Sequence, residues 1–272
     1  MTRYAELAAA SDRNAWEGSA RLLCDLPAAR HLDLGHVRAL DTRSPLGLFN
    51  PAFVFGEVRD PAATAATLLG FYAASPGPGR IRISGRLQSG EALAEALQRA
   101  GCAERAGRLP AMLLAVEDLA EGPEPAQHGL AFVEATEAAT CAAWVETLIA
   151  GFGWEAEAGA VRAAHAALPA AVAAGRTRAY LATLEGVPAA CCQVVESDGI
   201  AGIFALGTIP AVRRRGIASA LLRHVIDAAA SGGTRWASLR AMPDSEPIYH
   251  RLGFVWTHDL RELLTPARSG AA

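Results

Sequence analysis

Apolar residues in the second half of the chain fall into short runs of strand length. Three of these runs follow one another with only brief turns between them, at Glu185-Gly186 and at Ser197-Asp198-Gly199. Such turns join antiparallel strands. The predicted strands are residues 129–135, 178–184, 187–196, 199–208 and 236–241, with a last strand from Phe254.

Between these strands the apolar spacing becomes helical. Ile217, Leu221, Leu222 and Val225 recur at intervals of three or four, which predicts an amphipathic helix beginning near Gly216. Two further helices are predicted between the first and second strands, and a short one from Ser245 precedes the last strand. The order predicts an α/β (α+β) fold in which a mixed sheet is flanked by helices.

The first half carries a shorter α/β pattern. Its predicted elements are a helix at 61–72, an alternating strand at 80–84, a helix at 89–101 and a buried strand at 109–116. The stretch from Glu117 to Gly129 has two prolines, two glycines and four acidic residues, which is typical of a linker. We therefore predict a smaller divergent domain at 1–120, a linker at 121–129 and a second domain at 130–272.

Composition narrows the function classes. The formal net charge of -3 and the pI near 6.2 argue against nucleic acid and anionic membranes as partners. Every side-chain cation other than histidine is an arginine, because the sequence contains no lysine. This excludes Schiff-base chemistry and the lysine-bearing phosphate loop.

The five cysteines have no metal-ligand spacing. Cys191 and Cys192 are adjacent in a predicted strand, so they point to opposite faces, and we expect buried thiols in a reducing compartment. The N-terminal residues have no apolar core of a signal peptide, and no apolar run reaches membrane-spanning length. We expect a soluble cytoplasmic protein.

Three consecutive arginines, Arg213, Arg214 and Arg215, stand just before the predicted helix at Gly216. A helix N-terminus carries partial positive charge, so cations are unfavourable there. A bound phosphate would resolve the conflict, since both the helix end and the guanidiniums attract it. Small residues in the first turn, Gly216 and Ala218, would let an anion approach the main-chain N–H groups.

The segment "IPAVRRRGIASALL" resembles the acetyl-CoA signature of the GNAT superfamily of N-acetyltransferases, Gln/Arg-x-x-Gly-x-Gly/Ala at a strand–turn–helix. Arg213, Gly216 and Ala218 occupy the pattern positions. A second segment, "EPIYHRLGF", resembles the family's late helix ending in Tyr-x-x-Leu-Gly-Phe, from Tyr249 to Phe254. The resemblance covers Leu130 to Leu263, and the first half looks like the degenerate leading half of some longer members.

The resemblance implies acetyl-CoA as co-substrate and no metal. Main-chain amides at the signature would hold the pyrophosphate, and the preceding strand would pair with the pantetheine arm. The implied cofactor-binding residues are Leu206, Gly207, Thr208, Arg213, Arg214, Arg215, Gly216, Ile217, Ala218 and Ser219.

Tyr249 is the implied general acid that protonates the departing thiolate. Its alternative is an amphipathic tyrosine of the core. The strand before the signature has no carboxylate, although many members keep a glutamate base there. The base is left open among a water chain and five carboxylates: Glu146, Glu155, Glu157, Glu196 and Asp198. Ser245 is a candidate for the cofactor contact that many members make with an asparagine.

The loop "GFGWEA" from Gly151 fits a dinucleotide-binding pattern on paper, but it follows a helix instead of a strand, so we reject that interpretation. In the family's arrangement this loop borders the acceptor. Phe152, Trp154 and Glu155 are therefore candidate acceptor contacts, although each also fits a structural role.

The sequence predicts an enzyme that moves an acetyl group from acetyl-CoA directly to an amine of a small molecule or peptide. The alternative is a non-catalytic module that binds acyl-CoA or a partner, which the missing strand glutamate favours. Neither interpretation specifies the acceptor, and a homodimer is compatible with both.

Overall fold

The computed structural model describes residues 2–121, 128–242 and 244–267. The helices in these ranges are α1 Thr2–Leu23, α2 Pro61–Tyr72, α3 Gly90–Arg99, α4 Ala138–Phe152, α5 Ala158–Ala164, α6 Leu168–Ala173, α7 Ile217–Ser231 and α8 Glu246–Arg251. The strands are β1 Arg30–Asp33, β2 Val37–Asp41, β3 Pro51–Val54, β4 Arg80–Ser84, β5 Ala103–Glu104, β6 Leu109–Ala115, β7 Leu130–Glu134, β8 Arg178–Leu184, β9 Val187–Ser197, β10 Ile200–Thr208, β11 Trp236–Arg240 and β12 Val255–Leu264.

In the described part of the chain all twelve strands form one mixed sheet. Its order is β1-β2-β3-β4-β12-β6-β11-β10-β9-β8-β7, with β5 on the side of β12. The α/β fold predicted from the element order is therefore confirmed.

Strand pairing joins the two halves of the chain. β6 belongs to the first half but lies between β11 and β12 of the second, and it is antiparallel to both. β12 pairs with β6 near its start and with β4 of the first half near its end. The predicted limits, 1–120 and 130–272, therefore divide the chain but not the sheet. Residues 122–127 of the predicted linker lie outside the described residues.

Two crossovers in the described residues connect parallel strands. β3 continues through α2 into β4, and β10 continues through α7 into β11. Each crossover presents a helix N-terminus just beyond the carboxyl end of a strand, which is where open α/β sheets place ligands.

Helices cover both faces of the sheet. The core under α7 contains Leu221, Leu222 and Val225 with inward residues of β6 and β9–β11. α2 and α3 cover the strands of the first half on the same side, around Leu68 and Leu93. On the opposite face α4–α6 and α1 enclose a second core that includes Trp16 and Trp144. Both faces of the central strands are therefore buried.

The long helix α1 was not predicted. Its buried face carries Ser11, Asp12 and Asn14, which are at most 1% exposed, so the apolar repeat of an amphipathic helix is hidden. Small residues let it approach the sheet, since a Cβ at Gly18 would lie 2.2 Å from the ring of Phe204.

The predicted hairpins are confirmed. Glu185 and Gly186 both have positive φ, 52° and 82°, as do Asp198 and Gly199, 52° and 72°. Two consecutive left-handed residues match the twist of the flanking strands. These turns set the register of β8, β9 and β10, and β10 carries the candidate site.

Candidate functional site

The main-chain edge of β10 is open over its second half. β10 pairs with β11 only from Ile200 to Gly202, and beyond Gly202 no described residue of β11 pairs with it. On its other edge β10 stays paired with β9, interrupted by a bulge between Phe204 and Gly207. An unpaired strand edge can bind an extended ligand through its main chain.

The Cys191 thiol on β9 forms a hydrogen bond to this bulge. Ala205 at the bulge has a φ of 50°, and the Cys191 thiol donates to its carbonyl at 3.4 Å. Burial raises the pKa of Cys191 to about 12, against the lowering effect of a hydrogen bond from the Gly207 N–H. Burial also raises the pKa of Cys192. Both thiols therefore stay protonated at neutral pH and are poor nucleophiles.

The N-terminus of α7 follows directly from this strand. Its N-cap, Gly216, has a φ of +78° and makes no side-chain capping bond, and a Cβ built there would meet nothing within 4 Å. The Ala220 N–H donates to the Gly216 carbonyl at 3.0 Å, so the N–H groups of Ile217, Ala218 and Ser219 precede the helical ladder. Among the described residues no side chain caps this end, which leaves it suited to an anion.

The equivalent helix end in the first half is capped by the protein itself. The Asp60 carboxylate accepts a hydrogen bond from the Ala63 N–H at 2.9 Å, and Pro61 has no N–H to offer. A carboxylate therefore already stands where an anion would bind α2. The two crossovers share their topology but not their capacity for a phosphate.

The three arginines before α7 do not act alike. The Arg213 side chain donates to the carbonyls of Thr208 at 3.1 Å and Gly151 at 2.9 Å, so it joins the end of β10 to the end of α4. Its guanidinium is therefore engaged by the protein, and its assignment as a cofactor ligand stays a prediction. Arg214 and Arg215 are exposed at the turn, and Arg214 has a φ of 60°.

The other predicted cofactor residues lie on the second half of β10 and in the first turn of α7. Leu206 and Thr208 are half-buried on the open stretch of β10, and the Thr208 Oγ1 is buried with no described hydrogen-bond partner. A buried hydroxyl normally has a partner, so this one is available to a ligand. Ile217 is buried in the core at 1% exposure, which leaves only its main chain for binding.

Tyr249 lies on α8, on the same face of the sheet as α7. It is 8% exposed and packs edge-on against Phe254 with 5.9 Å between ring centroids. Burial raises the pKa of Tyr249, and a side-chain hydrogen bond with Ser245 opposes the change. The phenol therefore holds its proton at neutral pH, as a general acid must.

The candidate acceptor loop meets β10 at Gly207. A Cβ at Gly207 would lie 2.8 Å from the Phe152 ring, which stacks on Trp154 with 4.7 Å between ring centroids. Phe152 is 39% exposed and Glu155 is exposed. The loop therefore presents an aromatic surface and one carboxylate beside the open strand.

Residues 141–254 match the family model described as the acetyltransferase (GNAT) family. This part of the chain is a GNAT acetyltransferase domain. Its limits enclose the open edge of β10, the uncapped end of α7 and Tyr249.

Solved structures share the fold of this chain. A GCN5-related N-acetyltransferase from Kribbella flavida is 21% identical over 95% of both chains, with a TM-score of 0.72. One from Sphaerobacter thermophilus is 17% identical over 88% of this chain and 83% of its own, with a TM-score of 0.57. A tandem GNAT protein from the clavulanic acid biosynthesis pathway is 15% identical over 94% and 87%, with a TM-score of 0.55.

No curated protein matched the sequence. Within the described ranges, no helix has the length and apolar character needed to cross a membrane. The same residues contain no group of three or more His, Cys, Asp or Glu arranged to hold a metal ion.

Three of the carboxylates considered as a base have other partners. Glu146 is exposed and forms a double hydrogen bond with Arg162, which lowers its pKa. Glu196 accepts from Thr234, and Asp198 pairs with Arg13, both near the β9–β10 turn at the far end of β10. Glu155 and Glu157, on the loop predicted to border the acceptor, and water remain as candidates for the base.

Sequence reasoning missed the contribution of α1 to the GNAT domain. The Asn14 side-chain amide donates to the carbonyls of Val195 at 3.0 Å and Ile200 at 3.2 Å, and its oxygen lies 3.5 Å from the Ser238 hydroxyl. Asn14 therefore connects β9, β10 and β11 where β10 and β11 make their last pair. A lone asparagine in an unpredicted helix carried no signal for this role.

Asp12 anchors α1 to β4, β11 and β12, on the other side of the gap between β10 and β11. It is 1% exposed and accepts hydrogen bonds from Ser84, Arg86, Arg240 and His258, a set we call the Asp12 cluster. Burial raises the pKa of Asp12, but the His258 hydrogen bond and the Arg240 charge outweigh it and lower the pKa to about 2. One helix thus holds both strands that border the open edge.

Proposed function

We propose that this protein is an acetyl-CoA-dependent N-acetyltransferase that passes the acetyl group directly to an amine of a small molecule or peptide. The family match supports acyl transfer. The cofactor assignment rests chiefly on one observation, the uncapped N-terminus of α7 at the end of a strand whose edge is open.

The residues at this end suit the parts of coenzyme A. The N–H groups from Arg214 to Ser219 would hold the pyrophosphate at the helix N-terminus, with nearby guanidiniums adding charge. The open edge at Leu206–Thr208 would take the pantetheine arm as an added strand. Here the Thr208 hydroxyl offers a further hydrogen bond. When bound, acetyl-CoA supplies an acetyl group activated as a thioester.

The chain then contributes position and proton transfer. Tyr249, whose raised pKa keeps it neutral, donates a proton to the leaving thiolate. A main-chain N–H of the open strand stabilises negative charge on the carbonyl oxygen. Aligning the amine with the thioester supplies much of the rate. Direct transfer is favoured because Cys191 and Cys192 are buried, protonated thiols.

We further propose that residues 1–120 are a divergent copy of the fold that holds no cofactor. The β3–α2–β4 crossover repeats β10–α7–β11, but Asp60 caps its helix. Calorimetry should accordingly find one acetyl-CoA per chain. Two equivalent sites would contradict this assignment.

The cofactor site is tested by Gly216→Glu, which puts a carboxylate where the pyrophosphate would bind. We expect the affinity for acetyl-CoA to fall about 100-fold or more, with an unchanged circular dichroism spectrum. Gly216→Ala is the matched control, because it adds the same backbone strain at φ +78° without the charge. Equal affinity in wild type and Gly216→Glu would refute the site.

Catalysis is tested by Tyr249→Phe with thiol release from acetyl-CoA over an amine panel. We expect turnover to fall by about 10²–10⁴-fold while acetyl-CoA affinity stays within threefold, about the range of losing a general acid. Tight acetyl-CoA binding without turnover of any amine, unaffected by Tyr249→Phe, would instead favour the non-catalytic module.

A further inference from the structure

A second charged cluster lies beside the Asp12 cluster on the sheet face that α1 covers. Glu262 on β12 is 4% exposed, and three arginines surround it, which we call the Glu262 cluster. Its Oε2 is 2.9 Å from Arg82 Nε and 3.7 Å from Arg80 Nη1, and its Oε1 is 3.1 Å from Arg105 Nη1. One carboxylate therefore forms ion pairs with three guanidiniums.

The two clusters influence each other electrostatically. Burial lowers the pKa of Arg240, and the positive charges of Arg82 in the Glu262 cluster and Arg86 in the Asp12 cluster both lower it further. Together they hold five arginines, Arg80, Arg82, Arg86, Arg105 and Arg240, against two carboxylates. The whole chain has a net charge of -3, so this excess does not reflect the average composition.

The excess positive charge of these arginines is poorly solvated. The side chains of Arg82 and Arg240 are only 16% and 12% exposed. The Nε atoms of Arg80 and Arg240 are buried without a described hydrogen-bond partner. Burial lowers the pKa of Arg80 to about 10 even though Glu262 opposes the change. Buried cations in excess of their partners are stabilised by an added anion.

A cavity borders the Glu262 cluster, and of the five arginines Arg105 lines it. Its volume is about 170 Å³, and it is lined by residues 105–109, Met242 and Glu262. At roughly 30 Å³ per water, this space holds a group of about five or six heavy atoms, such as a phosphate or a short carboxylate arm. The Nη2 of Arg105 lies 4.0 Å from the Met242 sulfur, so this side of the guanidinium lies at the cavity wall.

Met242 connects the cavity with the segment that leads to α8. Met242 is the second residue after β11, and the N–H of the intervening Ala241 donates to the Pro110 carbonyl at the start of β6. The Ser245 hydroxyl donates to the Met242 carbonyl at 2.9 Å, immediately before the helix that carries Tyr249. Met242 therefore lines the cavity and is hydrogen-bonded to the N-cap residue of α8.

We propose that this cavity binds an anionic group, a carboxylate or a phosphate, of the amine acceptor, with Arg105 as its principal contact. The inference rests on the proposed acetyltransferase function. It narrows the acceptor to molecules that carry both an amine and a negative charge.

Turnover of matched acceptor pairs tests the preference. β-Alanine and γ-aminobutyrate are compared with their amides, and O-phosphoethanolamine with ethanolamine, so that carboxylate and phosphate are separate arms. We expect the anionic member of at least one pair to have a kcat/KM about tenfold or more above its neutral partner. Arg105→Gln should raise KM for that acceptor by about 10- to 100-fold and leave the neutral partner and acetyl-CoA affinity unchanged. Arg99→Gln, at an arginine that is 70% exposed on α3, is the control.

A binding measurement separates this inference from the proposed function. Inorganic phosphate and glutarate are titrated into the protein at constant ionic strength, and the melting temperature is followed. At least one of them should raise it in wild type and in Gly216→Glu, where the cofactor site is blocked, but not in Arg105→Gln. Stabilisation that is equal in all three proteins, or absent from wild type, would overturn the anion site. Loss of acetyl-CoA binding with retained anion binding would overturn the function alone.

Discussion

Replacing Asp12 by asparagine should destabilise the whole protein, because this carboxylate links α1 to both halves of the sheet. The substitution keeps the size of the side chain and removes its charge. Arg240, 12% exposed, then stays buried without its carboxylate. Arg86 and His258 lose the same acceptor.

The structure sets the size of the effect. A pKa lowered from 3.8 to about 2 corresponds to about 2.4 kcal/mol that favours the charged form of Asp12 in the folded state. Leaving a buried charge without its partner typically costs about 3–5 kcal/mol. For a chain of this length, that lowers the melting temperature by on the order of 10 °C.

The pH dependence of the melting temperature follows from the same lowered pKa of Asp12. A carboxyl group whose folded pKa is below its unfolded value stabilises the fold above the unfolded pKa, and this contribution is lost as the pH falls toward the folded pKa. The gap in melting temperature between wild type and Asp12→Asn should therefore be constant from about pH 8 to 5 and narrow between about pH 4 and 2.

Thermal melts followed by circular dichroism at several pH values measure both effects. Asp198→Asn is the control, because the Asp198–Arg13 pair is 49% exposed on each side and such pairs contribute about 0–1 kcal/mol. If Asp12→Asn melts within about 2 °C of wild type at neutral pH, or if the gap persists unchanged to about pH 3, the anchoring role of Asp12 is wrong.

Two glycines and one arginine around β10 give further expectations. Gly202→Ala places a Cβ 1.9 Å from the Asn14 oxygen, so α1 must shift, and we expect a melting temperature lower by about 5 °C or more. Gly207→Ala displaces the exposed Phe152 ring, so the acceptor KM should rise several-fold with little change in the melting temperature; an unchanged KM would remove Phe152 from the acceptor side. Arg213→Gln releases the carbonyls of Thr208 and Gly151, so acetyl-CoA affinity measured by calorimetry should fall about tenfold even though the guanidinium need not touch the cofactor.

Local signals in the sequence were sufficient for most of the second half of the fold. The left-handed pairs Glu185-Gly186 and Asp198-Gly199 specify their hairpins through residues that are adjacent in the chain. Pro61 and Asp60 likewise specify the start of α2, which spans the predicted residues 61–72. The arginine–glycine turn before α7 was readable for the same reason, because its chemistry lies within a few consecutive residues.

Other features depended on partners that are distant in the chain. β6 is buried at every position, and such an apolar run fits any central place in a sheet. Only long-range pairing placed it between β11 and β12. The bulge at Ala205 and the separate engagement of Arg213 were equally invisible, because both depend on contacts with other elements.

The sequence by itself determined most local elements of the second half, the hairpin turns and the position of the helix N-terminus that suits a phosphate, since each depends on neighbouring residues. The tertiary structure alone decided how the two halves share one sheet and how α1 contacts both β10 and β11 where these strands separate. Asp12 and Asn14 are polar residues on the buried face of a helix, where a side chain without hydrogen bonds is unfavourable. Their partners are distant in the chain, Ser84 and His258 for Asp12 and Val195 for Asn14, and these contacts make the burial stable.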